Sequence, residues 1–188
     1  MALSQTVAPA VEPLTLADAK TFLRLEHVVE DAFITSLITT SRLHVEAALD
    51  LALITQRWTQ SVKQTDRRII PLRLHPVQSL DAVRIVDSAG VSTAIDLDDI
   101  LIDRTSRPER VCLPAMTVVT AFDTVDIDMT VGFGDAPTDV PDAIRHALLL
   151  LIAHWYEVRE PVAMGPGGSS KVPTTVSDLL SPYRPVKL

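Results

Sequence analysis

The chain has 188 residues, 47% of them hydrophobic, and its 24 acidic and 17 basic residues give a formal net charge of −7. This length and composition suit one globular domain with a substantial core, or a domain that carries a small insertion. The acidic balance excludes the overall basic character of a nucleic-acid-binding protein. The single cysteine, Cys112, excludes an intrachain disulfide and a cysteine-only metal site, and we interpret it as a buried, unreactive residue.

The N-terminal part of the chain is predicted to be helical after an extended arm of residues 1–13. Thr15 and Asp18 have the spacing of a capping box at the start of a helix over residues 16–23. The first residues lack the basic and hydrophobic segments of a signal peptide, so we expect a protein made and kept in a cytosol-like compartment. A second helix is predicted over about residues 30–50, where hydrophobic residues recur at helical spacing: Phe33, Ile34, Leu37, Ile38, Val45 and Leu49.

The middle of the chain changes to short runs typical of antiparallel strands. The clearest alternation lies in residues 125–131, where Asp126, Asp128 and Thr130 face away from four hydrophobic residues. Residues 87–90 have the composition of a hairpin turn. Strands are predicted over residues 56–65, 69–74, 80–86, 92–97, 111–113 and 125–131.

Two of these strands raise the question of which residues share a face. In the first, Trp58 and Val62 are expected on one side of the sheet. In the strand over residues 80–86, either Val83 or Arg84 can continue the alternation, so the sequence leaves its register open.

The longest helix with clear start and stop signals is predicted over residues 141–160. Pro141 suits its first turn, Asp142 favours the positive end of the helix dipole, and Pro161 cannot continue the helix. Its uninterrupted hydrophobic run, residues 147–153, is far shorter than the roughly 20 residues that span a bilayer. Hydrophobic residues cover most of its circumference, which is typical of a helix buried in a core or between subunits: Ile144, Leu148, Leu149, Leu150, Leu151, Ile152, Trp155 and Tyr156.

These elements together predict an α+β fold. N- and C-terminal helices form a helical bundle, a small antiparallel β domain is inserted between them, and an extended C-terminal tail follows a linker rich in glycine and serine. The sequence pattern gives the tail no core of its own, apart from one helical turn over residues 176–180. We divide the chain into residues 1–52 (arm and helices), 53–135 (β domain), 136–163 (long helix) and 164–188 (linker and tail).

No motif in the sequence predicts catalysis or cofactor binding. His146 and His154 lie eight positions apart, which is too far for the paired histidines of a helical zinc site. The acidic residues from Asp96 to Asp103 lack the spacing, central glycine and closing glutamate of a calcium loop. Nucleotide-binding and hydrolase motifs are also missing, so we predict that the protein is not an enzyme and has no cofactor.

Over its whole length the chain resembles head–tail connector (adaptor) proteins of tailed phages and gene transfer agents. No single motif carries the resemblance; the order of many short matches does. The most specific are His154-Trp-Tyr-Glu-Val-Arg-Glu160 and Leu179-Leu-Ser-Pro-Tyr-Arg184. The others are residues 12–20, 22–25, 30–31, 52–58, 76–80, 131–137 and 140–144, with Asp87 and Gly90.

The resemblance implies a structural protein of the particle neck, made in the bacterial cytoplasm. Such subunits form a homo-oligomeric ring, dodecameric in this family, under the portal protein. The ring extends the DNA channel without binding DNA specifically, has no contact with a membrane, and offers the docking surface for a tail-side connector or terminator protein. The alternative that the residues leave open is a monomeric binding module of the host, without catalytic activity.

Two sets of residues follow from this interpretation. The long helix is hydrophobic on too many sides for an isolated subunit, and a tail without a core suits an arm that orders on assembly. Acidic residues of the β domain are candidates to line the channel and repel DNA, or else serve only to keep the sheet soluble. The predicted assembly residues are Trp155, Tyr156, Leu180, Pro182, Tyr183 and Arg184; the candidate channel acids are Asp96, Asp98, Asp126 and Asp128.

Overall fold

The fold is α+β, as predicted, and divides into two compact units. The computed structural model describes residues 1–63, 68–114, 123–158 and 173–184. The helical unit consists of Val11–Leu49 and Gly134–Arg184, and the β unit of Met1–Ala10 and Asp50–Phe133. The predicted linker over residues 164–170 lies outside the described residues.

The helical unit contains four α-helices in its described part. They are α1 (Leu16–Leu23), α2 (Asp31–Leu49), α3 (Asp142–Glu157) and α4 (Thr174–Leu180). The capping box predicted for α1 is confirmed: the Asp18 N–H donates to Thr15 Oγ1 at 3.0 Å, and the Thr15 N–H donates to Asp18 Oδ2 at 3.1 Å. Arg24 then ends α1 in the left-handed conformation, with φ of 57°.

The helix after Pro141 is shorter in the described part of the chain than the 20 residues predicted for it, and it is not the longest there. α2 has 19 residues and α3 has 16. Pro141 is the cap that precedes α3, with ψ of 135°, and not part of its first turn. At the other end Val158 leaves helical geometry with ψ of 70°, and the predicted final residues 159–160 lie beyond the described range.

The hydrophobic face of α3 is covered within the subunit. Five of its residues are fully buried: Ile144, Ala147, Leu148, Leu151 and Ile152. α1, α2 and α4 all lie against α3. The burial of this helix therefore does not require a second subunit, and the argument that it is too hydrophobic for an isolated chain loses its main support.

The expectation of a C-terminal tail without a core is wrong for its helical part. α4 lies against α3, and it buries Val176 and Leu180 to 1% and 6% exposure. The sequence pattern missed this because α4 has only seven residues. Two buried side chains draw no recognisable stripe, although they are enough to attach so short a helix to a larger one.

The β unit contains eight strands in its described part, arranged in two antiparallel sheets. The five-stranded sheet has the order β1-β2-β8-β4-β5, and the three-stranded sheet the order β3-β7-β6. The strands are β1 (Ala2–Val7), β2 (Gln56–Lys63), β3 (Ile69–Pro71), β4 (Val77–Val86), β5 (Ser92–Ile95), β6 (Leu101–Asp103), β7 (Arg110–Cys112) and β8 (Thr124–Val131).

The predicted arm at the N-terminus is a strand, which changes its place in the molecule. Residues 2–7 are extended as expected, but they pair with β2 along the edge of the five-stranded sheet. β6 was also missed, because three residues between polar turns give no alternation to recognise. The last two residues predicted for the strand over residues 56–65 lie outside the described part.

The core of the β unit consists of hydrophobic residues from both sheets. The face predicted for β8 is confirmed, since its hydrophobic residues are 0–1% exposed: Val125, Ile127, Met129 and Val131. Trp58 and Val62 pack against this core from the same face of β2, as predicted. The open register of β4 is resolved in favour of Val83, which is 1% exposed, because an irregularity between Leu80 and Ala82 shifts the alternation.

A buried glutamine of β2 also faces the core. Gln60 is fully buried, and its amide Nε2 donates to the Pro71 carbonyl at 2.9 Å while its Oε1 accepts from the Arg73 N–H at 2.9 Å. These bonds join β2 to the end of β3 at Pro71 and to Arg73 just beyond it. The side-chain amide of Gln60 therefore makes the hydrogen bonds that a neighbouring strand would otherwise make with these two backbone groups.

Candidate assembly surfaces

The helical unit is fixed by an ion-pair network around a buried arginine. Arg42 is 7% exposed. Its Nε donates to Glu12 Oε2 at 2.8 Å, and its Nη1 donates to Glu46 Oε2 at 2.8 Å. Burial by itself lowers the pKa of Arg42, but the two carboxylates outweigh this and leave the pKa raised. The network ties the segment before α1 to α2, so the surfaces of this unit are presented by a rigid frame.

Three predicted assembly residues belong to one side of the helical unit. Leu180 and Arg184 line a groove of about 200 Å³, which we call the α4 groove. Trp155 meets the ring of His44, another residue of this groove, edge to face with the ring centroids 5.6 Å apart. The remaining lining residues are Val45, Ala48, Leu49, Leu151, Val176 and Ser177.

The predicted residues differ in how accessible they are. Leu180 is buried, Trp155, Tyr156 and Tyr183 are half-buried, and Pro182 and Arg184 are exposed. Only the exposed and half-buried members can meet a partner without a rearrangement of the subunit. Leu180 is best understood as the anchor of α4 that holds Pro182, Tyr183 and Arg184 in place.

Tyr156 lies in a different set of contacts. Its hydroxyl donates to Glu30 at the start of α2, and its ring centroid lies 6.2 Å from that of Phe33. His27 Nε2 lies 3.6 Å from the same glutamate. Tyr156 therefore connects the end of α3 to the loop between α1 and α2.

The four candidate channel acids occupy two different environments in the β unit. Asp126 and Asp128 lie on the polar face of β8, half-buried, whereas Asp96 and Asp98 are next to or within a short 3-10 helix over Leu97–Asp99, where Asp98 is exposed. Asp96 caps this turn, since its Oδ1 accepts from the Asp98 N–H at 3.1 Å.

The charge of Asp128 is compensated within the sheet. Arg84 on β4 donates to both of its carboxylate oxygens, at 2.6 and 2.9 Å, and Thr59 on β2 donates at 2.7 Å. Partial burial by itself raises the pKa of Asp128, but the hydrogen bonds from Arg84 and Thr59 outweigh it and leave the pKa lowered. Asp128 thus acts first as a cross-strand ion pair, and contributes less to a repulsive surface than an unpaired exposed acid would.

Sequence reasoning missed two surface features of the helical unit. One is a groove of about 580 Å³ between α1 and α3, which we call the α1–α3 groove. The other is the loop between α1 and α2, where Val28 and Val29 are 73% and 87% exposed. The groove is formed by residues distant in sequence, so no local pattern could reveal it. It is lined by Leu14, Asp18, Thr21, Phe22, Asp142, Arg145, His146 and Leu149.

The described residues hold no group of three or more histidine, cysteine, aspartate or glutamate side chains that could bind a metal ion. None of the helices in the same residues is long and hydrophobic enough to cross a membrane. What the helical unit offers is a rigid set of grooves and exposed side chains, a kind of surface suited to protein contacts.

Comparison with known proteins identifies the class of this molecule. No protein-family model and no curated protein matches the chain. Solved structures do, and each of three such matches covers 100% of this chain and 97% of the other. They are chains from the neck of an empty gene transfer agent particle computed with C6 symmetry (TM-score 0.79, 24% identity), the virion of a native gene transfer agent particle (0.80, 25%), and the neck of a native particle computed with C12 symmetry (0.78, 26%).

These full-length matches confirm the sequence-based recognition of a structural protein of the head–tail connector type. The particles concerned are gene transfer agents, and two of the three matched structures are of the particle neck, the location expected from the sequence.

Proposed function

We propose that this chain is a ring-forming connector subunit in the neck of a gene transfer agent or phage particle. The observation that carries the proposal is the match over the whole length to chains of gene transfer agent particles, two of them from the particle neck, with TM-scores of 0.78 to 0.80. A ring of identical subunits is supported by the C6 and C12 symmetries of two of these structures, and C12 favours a dodecamer. The role is structural and not catalytic.

In this proposal the ring lies between the portal protein and the tail-side connector or terminator protein. It extends the DNA channel, and the exposed end of the helical unit around Tyr183 and Arg184 takes part in assembly. The subunit is made in the bacterial cytoplasm and enters the particle when the head is joined to its tail.

The test is electron microscopy of particles from a producer strain that lacks this gene, with a complemented strain as the control. We expect heads, filled or partly filled with DNA, lying apart from finished tails, and joined particles again after complementation. Joined particles of normal appearance in the deletion strain would overturn the proposal.

One observation favours the alternative of a monomeric binding module of the host. The hydrophobic face of α3 is covered by α1, α2 and α4, so burial of this helix does not demand a partner. The two functions differ in assembly: a connector subunit should appear as rings in purified necks, and a host module should be absent from particles. Immunogold labelling of purified particles decides between them.

The acidic residues lead to a prediction about DNA. If Asp96, Asp98 and Asp126 line the channel, like-charge repulsion keeps passing DNA from sticking, and the assembled ring should bind duplex DNA only weakly even at low salt, where phosphate attraction is greatest. Fluorescence anisotropy with labelled DNA, from about 20 to about 200 mM salt, measures this. Tight binding at low salt that weakens steeply as salt is added would contradict it.

A further inference from the structure

The loop between α1 and α2 presents two valines on a rigid support. Val28 and Val29, which we call the valine tip, are 73% and 87% exposed. The Lys20 ammonium lies 2.6 Å from the Asp31 carboxylate, and the Asp31 N–H donates to the Val28 carbonyl at 3.2 Å. The Tyr156 hydroxyl donates to Glu30, directly after the tip. A tip that is already held in place loses little conformational freedom when it binds a partner.

The α1–α3 groove of the same unit has a lining that suits hydrophobic side chains. Its hydrophobic lining comes from Leu14, Phe22 and Leu149, and Phe22 remains 37% exposed. The groove, at about 580 Å³, is wide enough for two branched side chains. Two hydrophobic residues placed there would cover the exposed ring of Phe22.

One hydrogen-bond donor in the lining of the groove has no partner within the described part of the subunit. The Nε of Arg145 is buried and has no hydrogen-bond partner. The terminal nitrogens of the same guanidinium lie 3.6 Å from Asp142 Oδ1 and 4.0 Å from Asp18 Oδ2, and the Asp142 side chain is 99% exposed. Both distances are longer than a charge-assisted hydrogen bond, and the Arg145 side chain is 25% exposed, so a carboxylate that entered the groove could form a shorter pair with this cation.

We propose that the valine tip of one subunit inserts into the α1–α3 groove of the next copy of this chain. The tip is flanked by exposed charges of the required sign, Arg24 and Glu26. In the proposed contact Glu26 pairs with Arg145 of the groove, and Arg24 pairs with Asp142. Opposite charges thus meet on both sides of a hydrophobic centre, an arrangement that fixes the register of an interface.

The positions of the two surfaces suit a ring. Along α3, the groove residue Arg145 and the tip support Tyr156 are eleven positions apart, a rise of about 16 Å. Tip and groove are therefore separate surfaces of one rigid unit. A contact between two different surfaces of identical subunits is heterologous and closes into a cyclic oligomer when the rotation permits. The inference rests on the proposed ring, and it adds which surfaces form it.

The test is cysteine cross-linking between subunits. In a Cys112→Ala background, a size-tagged Val29→Cys chain is co-expressed with an untagged Leu149→Cys chain, in producer cells that yield particles and in recombinant form. After mild oxidation, non-reducing gels should show a disulfide-linked species of the tagged and untagged chains that neither chain gives alone. Leu101→Cys replaces Val29→Cys in the control, because Leu101 is also highly exposed, at 73% against 87% for Val29, but lies on β6 of the other unit.

Rings that form without the Val29–Leu149 cross-link, or that give it no more than the Leu101 control, would overturn the inference and leave the connector function standing. Chains that stay monomeric in both preparations would overturn it as well. Cross-linked rings from a gene whose deletion leaves particles normal would instead refute the connector function alone.

A charge exchange gives a second, independent measurement. Glu26→Arg and Arg145→Glu should each lower the fraction of assembled subunits about tenfold by light scattering, and the double variant should recover most of it. A double variant that assembles no better than the single variants would contradict the proposed pairing. Circular dichroism confirms that each variant is folded.

Discussion

At the scale of single residues, the described part of the chain contains a few charged groups whose surroundings set their effect on stability. Arg42 is 7% exposed and shared by two carboxylates, whereas Arg73 pairs with Asp50 with its side chain 56% exposed. Both are ion pairs with nitrogen–oxygen distances of 2.8 to 2.9 Å. Burial and not distance distinguishes them, because water screens the second pair and not the first.

Replacement of Arg42 by Met should therefore be strongly destabilising. It leaves Glu12 and Glu46 without their shared cation, and we expect a loss of about 3 kcal/mol in the free energy of unfolding. Arg73→Ala should cost less than about 1 kcal/mol. Chemical denaturation followed by circular dichroism compares the two, and equal losses would contradict the assigned role of Arg42.

Glu109 in the β unit shows the opposite case, a carboxylate that burial disfavours. Its Oε1 accepts from the Val77 N–H at 3.3 Å, while its Oε2 is buried with no hydrogen-bond partner. Burial raises the pKa of Glu109, more than the Val77 hydrogen bond and the neighbouring Arg104 and Arg107 lower it. The ionised form is therefore less favoured in the folded state than in the unfolded chain. The resulting loss of stability begins as the pH rises past the pKa of Glu109 in the unfolded chain, and it is complete above the pKa of Glu109 in the folded protein.

We expect Glu109→Gln to raise the free energy of unfolding at pH 7 by about 1 kcal/mol, since the amide keeps an oxygen for Val77 and removes the buried charge. The gain should disappear toward pH 4, where the carboxyl group of the native protein is protonated. Thermal melts between pH 4 and 8 measure the difference. A variant that melts lower than the parent at pH 7 would mean that the two arginines hold the carboxylate more strongly than burial opposes it.

At the scale of elements, the turn after β8 depends on one glycine. Gly132 has φ of 133°, and a Cβ at this position would lie 2.7 Å from the backbone of Ile54 and Thr55. Its carbonyl accepts from the Gln78 side chain at 3.0 Å, and its N–H donates to the Pro76 carbonyl at 2.9 Å. The close approach of two backbone segments thus fixes where the large sheet ends.

Gly132→Ala should destabilise the β unit by about 3 kcal/mol, because both the conformation and the space exclude a side chain. Gly90 in the β4–β5 turn is the matched control. Its φ is 80°, but nothing lies within 4 Å of its Cβ position, so Gly90→Ala should cost only about 1 kcal/mol. Equal effects in denaturation experiments would show that backbone conformation alone, and not the contact with Ile54, makes Gly132 necessary.

Two residues in and just after the last described helix allow stability and assembly to be tested separately. Leu180 is 6% exposed in the α4 groove, and Leu180→Ala should lower the free energy of unfolding by about 2–3 kcal/mol. Arg184 is exposed, so Arg184→Glu should change stability by less than about 0.5 kcal/mol. If Arg184 meets a partner, the second variant weakens assembly while its melting temperature is unchanged. Arg184→Glu particles that assemble normally would remove this residue from the interface.

At the scale of the whole molecule, the path of the chain alternates between the two units. It starts in the β unit with β1, forms α1 and α2, returns for β2 to β8, and ends in the helical unit with α3 and α4. The sequence predicted the insertion of a β domain between helices, because the period of its hydrophobic pattern changes from helical to alternating and back. It assigned the first ten residues to the wrong unit, since the pairing of β1 with β2 joins positions fifty or more residues apart.

What the sequence by itself determined is local. The capping box at Thr15, the alternation in β8 and the stripe of α2 follow from neighbours a few positions apart. Each was found where predicted, except that Phe33 of the α2 stripe is 38% exposed. The resemblance to connector proteins is also read along the chain, from the order of short segments.

Only the tertiary structure decided which surfaces are left for partners. From the sequence, Leu180 was a candidate for contact with a partner, but it is buried because α4 packs against α3. From the sequence, Asp128 was a candidate to line the channel as a repulsive charge, but it is paired with Arg84 from another strand. The valine tip and the α1–α3 groove have no signature in the sequence, since exposure depends on what the rest of the fold leaves uncovered. Burial is a property of the packed molecule, and residue order alone does not specify it.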